Sequence, residues 1–479
     1  MGEPPIRLYD TRTRALTEVA PREPGVVRMY TCGPTVYNYT HIGHLRPALV
    51  GDVLSRLLRR RGYQVHWVSN FTDVDDRIIA RAQQEGVPAE QYAGRYIADY
   101  LDNMAALGVR GVERFARVTE HIPDIVAMVE GLVAGGFAYP LDGDVYFAVQ
   151  SKADYGQLSG RTLAEMQAGA RVAVDERKRH PMDFALWKAA KPGEPAWPSP
   201  WGPGRPGWHI ECSAMSLRYL GNGFDIHGGG DDLIFPHHEN EIAQSEAFTG
   251  ERPFVRIWLH NAMVQVDHEK MSKTAGNFVP LHELVRQNPA GALRHFVLST
   301  HYRKPLQYSV SAIAEARRGW NRLVEARAAW REALGAANGG GVAADPATIG
   351  SFLADLADDL NTAGALGCLF ELVRAGNAAL ARGDGAGLGP ALEALEECGE
   401  VLGLWEGVDA AAAPAGGKVA PALVELLLDL RREARAYRDW AMADHIRDGL
   451  AASGILLEDT AAGTRWKWTE TPFSGGGAR

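Results

Sequence analysis

The chain has 479 residues, a net charge of −9 and four cysteines, and 46% of it is hydrophobic. That length allows roughly three domains with sizeable cores, and so few cysteines exclude a disulfide framework. No membrane-length apolar run or secretory leader is present and Met1-Gly2 opens no myristoylation motif, so the expectation is a cytoplasmic protein. The acidic balance does not argue against RNA, because a binding face can be a local patch.

In chain order, Val26-Val27-Arg28-Met29-Tyr30-Thr31-Cys32 reads as a buried strand, and Leu45, Leu49, Val53, Leu54, Leu57 and Leu58 recur at helical steps. A second strand follows near Asn70. Strand, loop, helix and strand make a βαβ unit, which predicts a parallel sheet. Asp73 to Gly86 reads as a helix, with another running past Met104. From Val112 to Pro206 the pattern changes. Gly143 to Val149 alternates like a strand, and proline and tryptophan crowd Pro192 to Trp208. This stretch reads as an insertion. The α/β pattern resumes at Trp208, with strands at Phe224–His227 and Phe254–Leu259. After Ser309 the chain reads as helical to about Leu404, interrupted by a loop at Gly339-Gly340-Gly341. A linker rich in alanine, glycine and proline covers Glu406 to Lys418. Two short helices between Leu423 and Leu450, then a turn and strand over Gly454–Thr460, complete the pattern. Gly475-Gly476-Gly477 reads as disordered.

Three constellations carry chemistry. His41-Ile42-Gly43-His44 falls at a strand-to-helix turn. Free backbone N–H groups and the helix dipole favour anions there. Gly33 and Gly43, lacking Cβ, would let a nucleotide approach the backbone. Lys270-Met271-Ser272-Lys273-Thr274 precedes Ala275-Gly276-Asn277, a predicted mobile loop whose ammonium groups could close over phosphates. The third comprises Cys32, Cys212, His237 and Glu241, with the last two on one helix face. These could converge as sulfur, sulfur, nitrogen and oxygen ligands for zinc. Spacing alone allows two buried thiols and an acidic helix N-terminus equally well. Cys368 and Cys398 lie in helical surroundings and read as structural.

Together, in this order, the histidine and lysine motifs resemble the two nucleotide-handling signatures of class I aminoacyl-tRNA synthetases. Thr274 stands where that family usually has serine. The runs Gly207-Trp208-His209-Ile210-Glu211-Cys212-Ser213-Ala214-Met215, Phe224-Asp225-Ile226-His227-Gly228-Gly229-Gly230 and Pro236-His237-His238-Glu239-Asn240-Glu241 are similar to the cysteinyl-tRNA synthetases. The resemblance implies one zinc per chain on Cys32, Cys212, His237 and Glu241, with His237 preferred over His238. It implies ATP handling by His41, His44, Lys270 and Lys273, with Gly33 and Gly43 beside the nucleotide and Mg²⁺ on the phosphates. Thr72, Trp208 and Asp232 would line the amino-acid pocket, Asp232 meeting the substrate ammonium.

The implied fold is α/β: a Rossmann-like parallel-sheet catalytic domain split by an insertion, then a helical bundle and a small C-terminal anticodon-binding domain. The expected boundaries are 1–111 and 207–262 for the catalytic halves and 112–206 for the insertion. A lysine-loop and stem-contact region spans 263–309, the bundle 310–405, the linker 406–419 and the anticodon-binding domain 420–479. In that last domain Arg435, Trp440, Asp444 and Asp459 are candidates for base contacts, through forked, stacked and acceptor interactions. The expected partners are L-cysteine, ATP and cysteine tRNA, with no membrane, and the protein is expected to be a monomer. The competing readings are a ligase that activates cysteine the same way but transfers it to a glucosamine-inositol amine, and a non-catalytic tRNA-binding paralogue. The C-terminal module argues against the first, and intact signatures argue against the second.

Overall fold

The computed structural model describes residues 3–168, 177–266, 269–270, 278–335, 343–408, 419–436, 439–452, 455–460 and 463–468. These form two compact units that divide at Gly407 and Val408.

The first unit is built on a five-stranded parallel sheet. Its strands run, in spatial order, Val255–Asn261, Phe224–Gly230, Val26–Thr31, Gln64–Phe71 and Val112–Arg117. Val26–Thr31 and Phe224–Gly230 are neighbours here although an insertion separates them in sequence. Strand order reverses between them, and such a switch point opens a crevice beyond the carboxyl ends of the strands. Cys32 follows one of these strands and Asp231 the other, so the fold brings the two halves of the proposed site together.

The helix Ile42–Arg60 buries Leu45, Leu49, Val53, Leu54, Leu57 and Leu58, the apolar positions predicted from periodicity. The next helix is Asp76–Glu85, starting later than the predicted Asp73. Asp75 caps it by accepting from the Arg77 N–H at 3.0 Å. Asp73 instead accepts from the backbone and hydroxyl of Thr119 at 3.1 and 2.6 Å, which draws it toward the end of the neighbouring strand. Val112–Arg117, assigned to the insertion from sequence, pairs with Trp67–Phe71 in the parallel sheet. As an edge strand it places Glu113 and Arg114 in solvent instead of carrying an apolar run.

Within the insertion, Ala138–Leu141, Asp144–Phe147, Phe184–Ala189 and Gly204–Pro206 form an antiparallel sheet. Glu239 fastens the loop before this sheet's third strand to the catalytic core. Its buried carboxylate accepts from the backbone N–H groups of Gly156, Leu158 and Ser159 at 3.0, 3.1 and 2.8 Å. An N-terminal hairpin, Arg7–Asp10 with Ala15–Glu18, was not anticipated. Asp10 anchors it by accepting from the Trp258 N–H at 2.9 Å.

Beyond the sheet, Val264–Val266 pairs with Glu269–Lys270 on one side and Leu306–Tyr308 on the other. The bundle follows as helices Val310–Leu334, Pro346–Ala357, Thr362–Ala381 and Gly385–Leu402. The expected loop at Gly339–Gly341 and most of the linker lie outside the described residues. The second unit packs helices Val419–Ala436 and Trp440–Ala452 and the hairpin Ile455–Thr460 with Gly463–Trp468 around Val424, Leu428, Leu450 and Ile455. Gly475–Gly477 lies outside the described residues. No helix among the described residues is long and apolar enough to cross a membrane.

Candidate functional site

At the switch point lies a cavity of about 480 Å³, within the usual range for small-molecule sites. Cys32, Gly33, His41, Gly43, His44, Trp208, Asp232, Asn261 and Met263 all contribute to its wall. Gly33 is required there: a Cβ would stand 1.7 Å from the Asn70 carbonyl oxygen. The Asn70 side chain in turn accepts from the Gly33 N–H at 2.9 Å.

His41 and His44 form a reciprocal cap on the helix they begin. The His41 Nδ1 accepts from the Gly43 N–H at 3.1 Å, and the His44 Nδ1 accepts from the His41 N–H at 3.2 Å. An imidazole that accepts at Nδ1 carries its proton at Nε2 when neutral. Burial keeps both neutral: it pushes His41 down to about 2, aided by its neighbour His44, and His44 down to about 4. Both rings therefore hold an Nε2–H donor ready for an anionic ligand, at no cost in helix capping.

The described residues on either side of the lysine motif lie beside these histidines. Upstream, Met263 and Val264 line the cavity and lead to the strand Glu269–Lys270. Downstream, the Val279 carbonyl accepts from the Ile42 N–H at 3.1 Å, and the Leu281 N–H donates to Thr40 at 2.8 Å. The Phe278 ring lies 5.5 Å from that of His41. The side chain of Lys270, and Lys273 with the loop 271–277, lie outside the described residues.

Behind Cys32 the metal-competent side chains converge. Ligand atoms of Cys32, Cys212, His237 and Glu241 all lie within 4.8 Å of one another. The two sulfurs stand 3.7 Å apart, and Cys32 Sγ is 3.7 Å from Glu241 Oε1. With zinc–sulfur bonds of about 2.3 Å, tetrahedral thiolates would be separated by about 3.8 Å. His237 Nε2 is 3.0 Å from the same Glu241 oxygen. The donor types and spacings fit zinc. Burial raises the Cys32 thiol and lowers the His237 imidazole, so an ion binding there must displace thiol protons while finding the imidazole already neutral.

Around this cluster lie residues to which the sequence assigned no role. His237 Nδ1 meets His209 Nδ1 at 3.0 Å, and His227 Nε2 meets the second oxygen of Glu241 at 2.9 Å. His238 Nε2 is 3.2 Å from Cys32 Sγ, while its Nδ1 meets His260 at 2.7 Å, and His260 reaches Thr11 at 2.7 Å. Cys32, His227, His238 and Glu241 also satisfy the same distance limit. With His238 engaged by His260, and His227 seated on the outer oxygen of Glu241, both suit the outer partners that orient metal ligands. His209 and His227 stand inside the motifs quoted above, but only the folded chain reveals what they face.

The proposed amino-acid pocket is assembled in part. The Trp208 ring stacks on His237 with centroids 4.4 Å apart, and Asp232 lies on the cavity wall. Thr72 is buried beside the site, not on that wall, and its hydroxyl donates to Glu211 at 2.8 Å. In the second unit Arg435 and Trp440 are exposed, Trp440 at 57%, and Asp444 pairs with Arg447 at 2.9 Å. Asp459 sits in the terminal hairpin opposite Thr464, its side chain outside the described residues.

Residues 18–318 match the family described as tRNA synthetases class I (C) catalytic domain, and residues 351–406 match the DALR domain. A Cysteine--tRNA ligase of Pelotomaculum thermopropionicum is 53% identical, covering 96% of this chain and 99% of its own. The enzyme of the same description from Geobacter sulfurreducens is 50% identical over 96% of this chain and 99% of its own. Among solved structures, Mycobacterium tuberculosis methionyl-tRNA synthetase in complex with methionyl-adenylate superimposes with a TM-score of 0.58 at 17% identity, covering 80% of this chain and 91% of that one. A LeuRS of Agrobacterium radiobacter K84 gives 0.60 at 12%, covering 81% and 85%. These two show the shared class I fold. Combined with a switch-point cavity lined by the histidine signature, the near full-length identity establishes that the chain belongs to the cysteinyl-tRNA synthetases, the class I ligases that join cysteine to tRNA.

Proposed function

We propose that this cysteine–tRNA ligase selects its amino acid at a zinc site on Cys32, Cys212, His237 and Glu241, and activates it in the adjoining cavity. One observation carries this reading: Cys32 belongs both to the four-residue cluster and to the wall lined by His41 and His44. The cluster therefore opens on the place where nucleotide phosphates would lie. A pocket of apolar shape alone separates cysteine from serine weakly, whereas zinc held there supplies a Lewis acid that prefers sulfur to oxygen.

The chain's own residues then act by positioning. Trp208, held against His237, and Asp232 would frame the amino acid, with the Asp232 carboxylate accepting from the substrate ammonium. Thr72 would support the pocket from behind through Glu211. In the first step an oxygen of the cysteine carboxylate bonds to the α-phosphorus of ATP, and the bond to the bridging oxygen breaks to release pyrophosphate. The Nε2–H groups of His41 and His44 would donate to phosphate oxygens, and Lys270 and Lys273, with Mg²⁺ on the triphosphate, would balance the charge developing there. In the second step a terminal ribose hydroxyl of cysteine tRNA attacks the adenylate carbonyl, and AMP leaves. Arg435, Trp440, Asp444 and Asp459 would read the anticodon, an exposed indole being suited to stack on an unpaired base. Transfer to a sugar-inositol amine is not favoured, since the relatives described above are tRNA ligases.

The test is metal content together with substrate choice. The purified chain is expected to hold one zinc, and Cys212→Ala to lose zinc and cysteine affinity together. A Cys212→Ala protein with normal zinc stoichiometry and normal KM for cysteine would overturn the ligand set.

A further inference from the structure

The helix that carries the histidine signature also carries a fully buried cation. Arg46 follows His44 by two positions and is 0% exposed. Among the described residues its side-chain hydrogen bonds all go to backbone carbonyls: Nη1 to Ala262 at 3.0 Å and Met263 at 3.4 Å, and Nη2 to His301 at 2.8 Å. Burial lowers this guanidinium to about 10, with Asp231 the carboxylate that offsets the effect. Packing alone does not call for a cation here. Taking a guanidinium out of water is costly even with these acceptors, and an apolar side chain of similar volume would fill the space more cheaply.

The carbonyls that Arg46 grips explain its presence. Ala262 and Met263 lead into Val264–Val266, and His301 precedes Leu306–Tyr308. Those two strands pair in parallel, and Val264–Val266 also pairs with Glu269–Lys270. The same segments are tied directly, Ala262 N–H donating to Tyr302 at 2.9 Å and Leu306 N–H to Met263 at 3.1 Å. The guanidinium thus clamps the base of the small sheet on which the lysine motif begins. Its own helix begins with the histidine motif. A planar fork reaches carbonyls on two segments at once, which an ammonium cannot do equally well.

We infer that Arg46 is a positioning residue that sets the small sheet from which the lysine signature departs against the helix of the histidine signature, for engagement of one triphosphate by both motifs. The inference rests on the nucleotide roles proposed above for those motifs. Adenylate formation needs the register. Transfer of cysteine from an adenylate already made does not, because the triphosphate has gone.

The experiment compares Arg46→Met and Arg46→Lys in the full chain, with Lys273→Ala in parallel. Cysteine-dependent pyrophosphate exchange gives kcat and KM for ATP and cysteine, and transfer to tRNA is followed from preformed enzyme-bound adenylate. In Arg46→Met, exchange kcat is expected to fall roughly 10- to 100-fold, the scale of a misplacement of about 1 Å. Cysteine KM and the transfer rate should change less than about twofold, and Arg46→Lys should recover part of the loss. Should Arg46→Met not fold, the same split is read in Arg46→Lys. Unchanged exchange, or equal losses in exchange, cysteine KM and transfer, would overturn the role. Normal exchange in Lys273→Ala would instead bring down the reading of the lysine signature itself.

Discussion

At the scale of single residues, protonation state is set by burial. His41 and His44 are held neutral by burial, and the cap they form defines their tautomers, which turns a helix start into a pair of donors. A different histidine shows the cost of burial plainly. Neither ring nitrogen of His295 has a hydrogen-bond partner among the described residues, and burial lowers it to about 4 from an ordinary 6.5. Its folded value lies below its unfolded value. Its contribution is therefore fully present above about pH 6.5 and is lost as pH falls toward 4, where the unfolded chain binds the extra proton. From pH 7 to 5 this one group should remove about 2 kcal/mol of stability. His295→Leu is expected to flatten the pH dependence of unfolding free energy by that amount; an unaltered slope in denaturant titrations would contradict it. At this scale the sequence motifs identified Cys32, Cys212, His237 and Glu241, which the fold brings together. They did not reveal the roles of His209, His238, His260 or Asn70, because the partners of these residues lie on other strands or helices far away in the chain.

At the scale of elements, long amphipathic helices were legible and most of the short antiparallel strands were not. Ile42–Arg60 and the bundle helices repeat their apolar positions over many turns. The hairpin Arg7–Glu18 and most of the insertion's strands are too short, and too dependent on cross-strand partners, to stand out in a pattern. Val112–Arg117 shows the same difficulty at a sheet edge, where charged residues face solvent. What joins insertion to core is also tertiary. Glu239 collects the Gly156, Leu158 and Ser159 amides, although residue spacing gives no hint of the lock. Glu239→Ala would leave those buried donors without their acceptor, at a cost of about 3 kcal/mol. Hydrogen exchange should show the amides of residues 156–159 losing protection before those of the parallel sheet. Uniform protection across both would argue that the lock contributes nothing.

For the whole molecule, the chain divides into two units that differ in what they contain. The first unit contains the switch-point cavity, the metal-competent cluster and both ends of the lysine loop. The second is a small helical and hairpin module with an exposed Trp440 and its own apolar core. The linker that precedes it and its two short helices were readable from composition and periodicity, whereas the surface by which it would meet RNA is one that no periodicity describes. Under the proposed function, cysteine activation belongs to the first unit and anticodon reading to the second. The most direct test is transfer of labelled cysteine to acid-precipitable RNA by the full chain with ATP, using a cysteine tRNA transcript and a second transcript altered only in the anticodon. Efficient charging of the first and strongly reduced charging of the second is the predicted result. Cysteine-dependent pyrophosphate exchange without charging of either transcript would contradict the account.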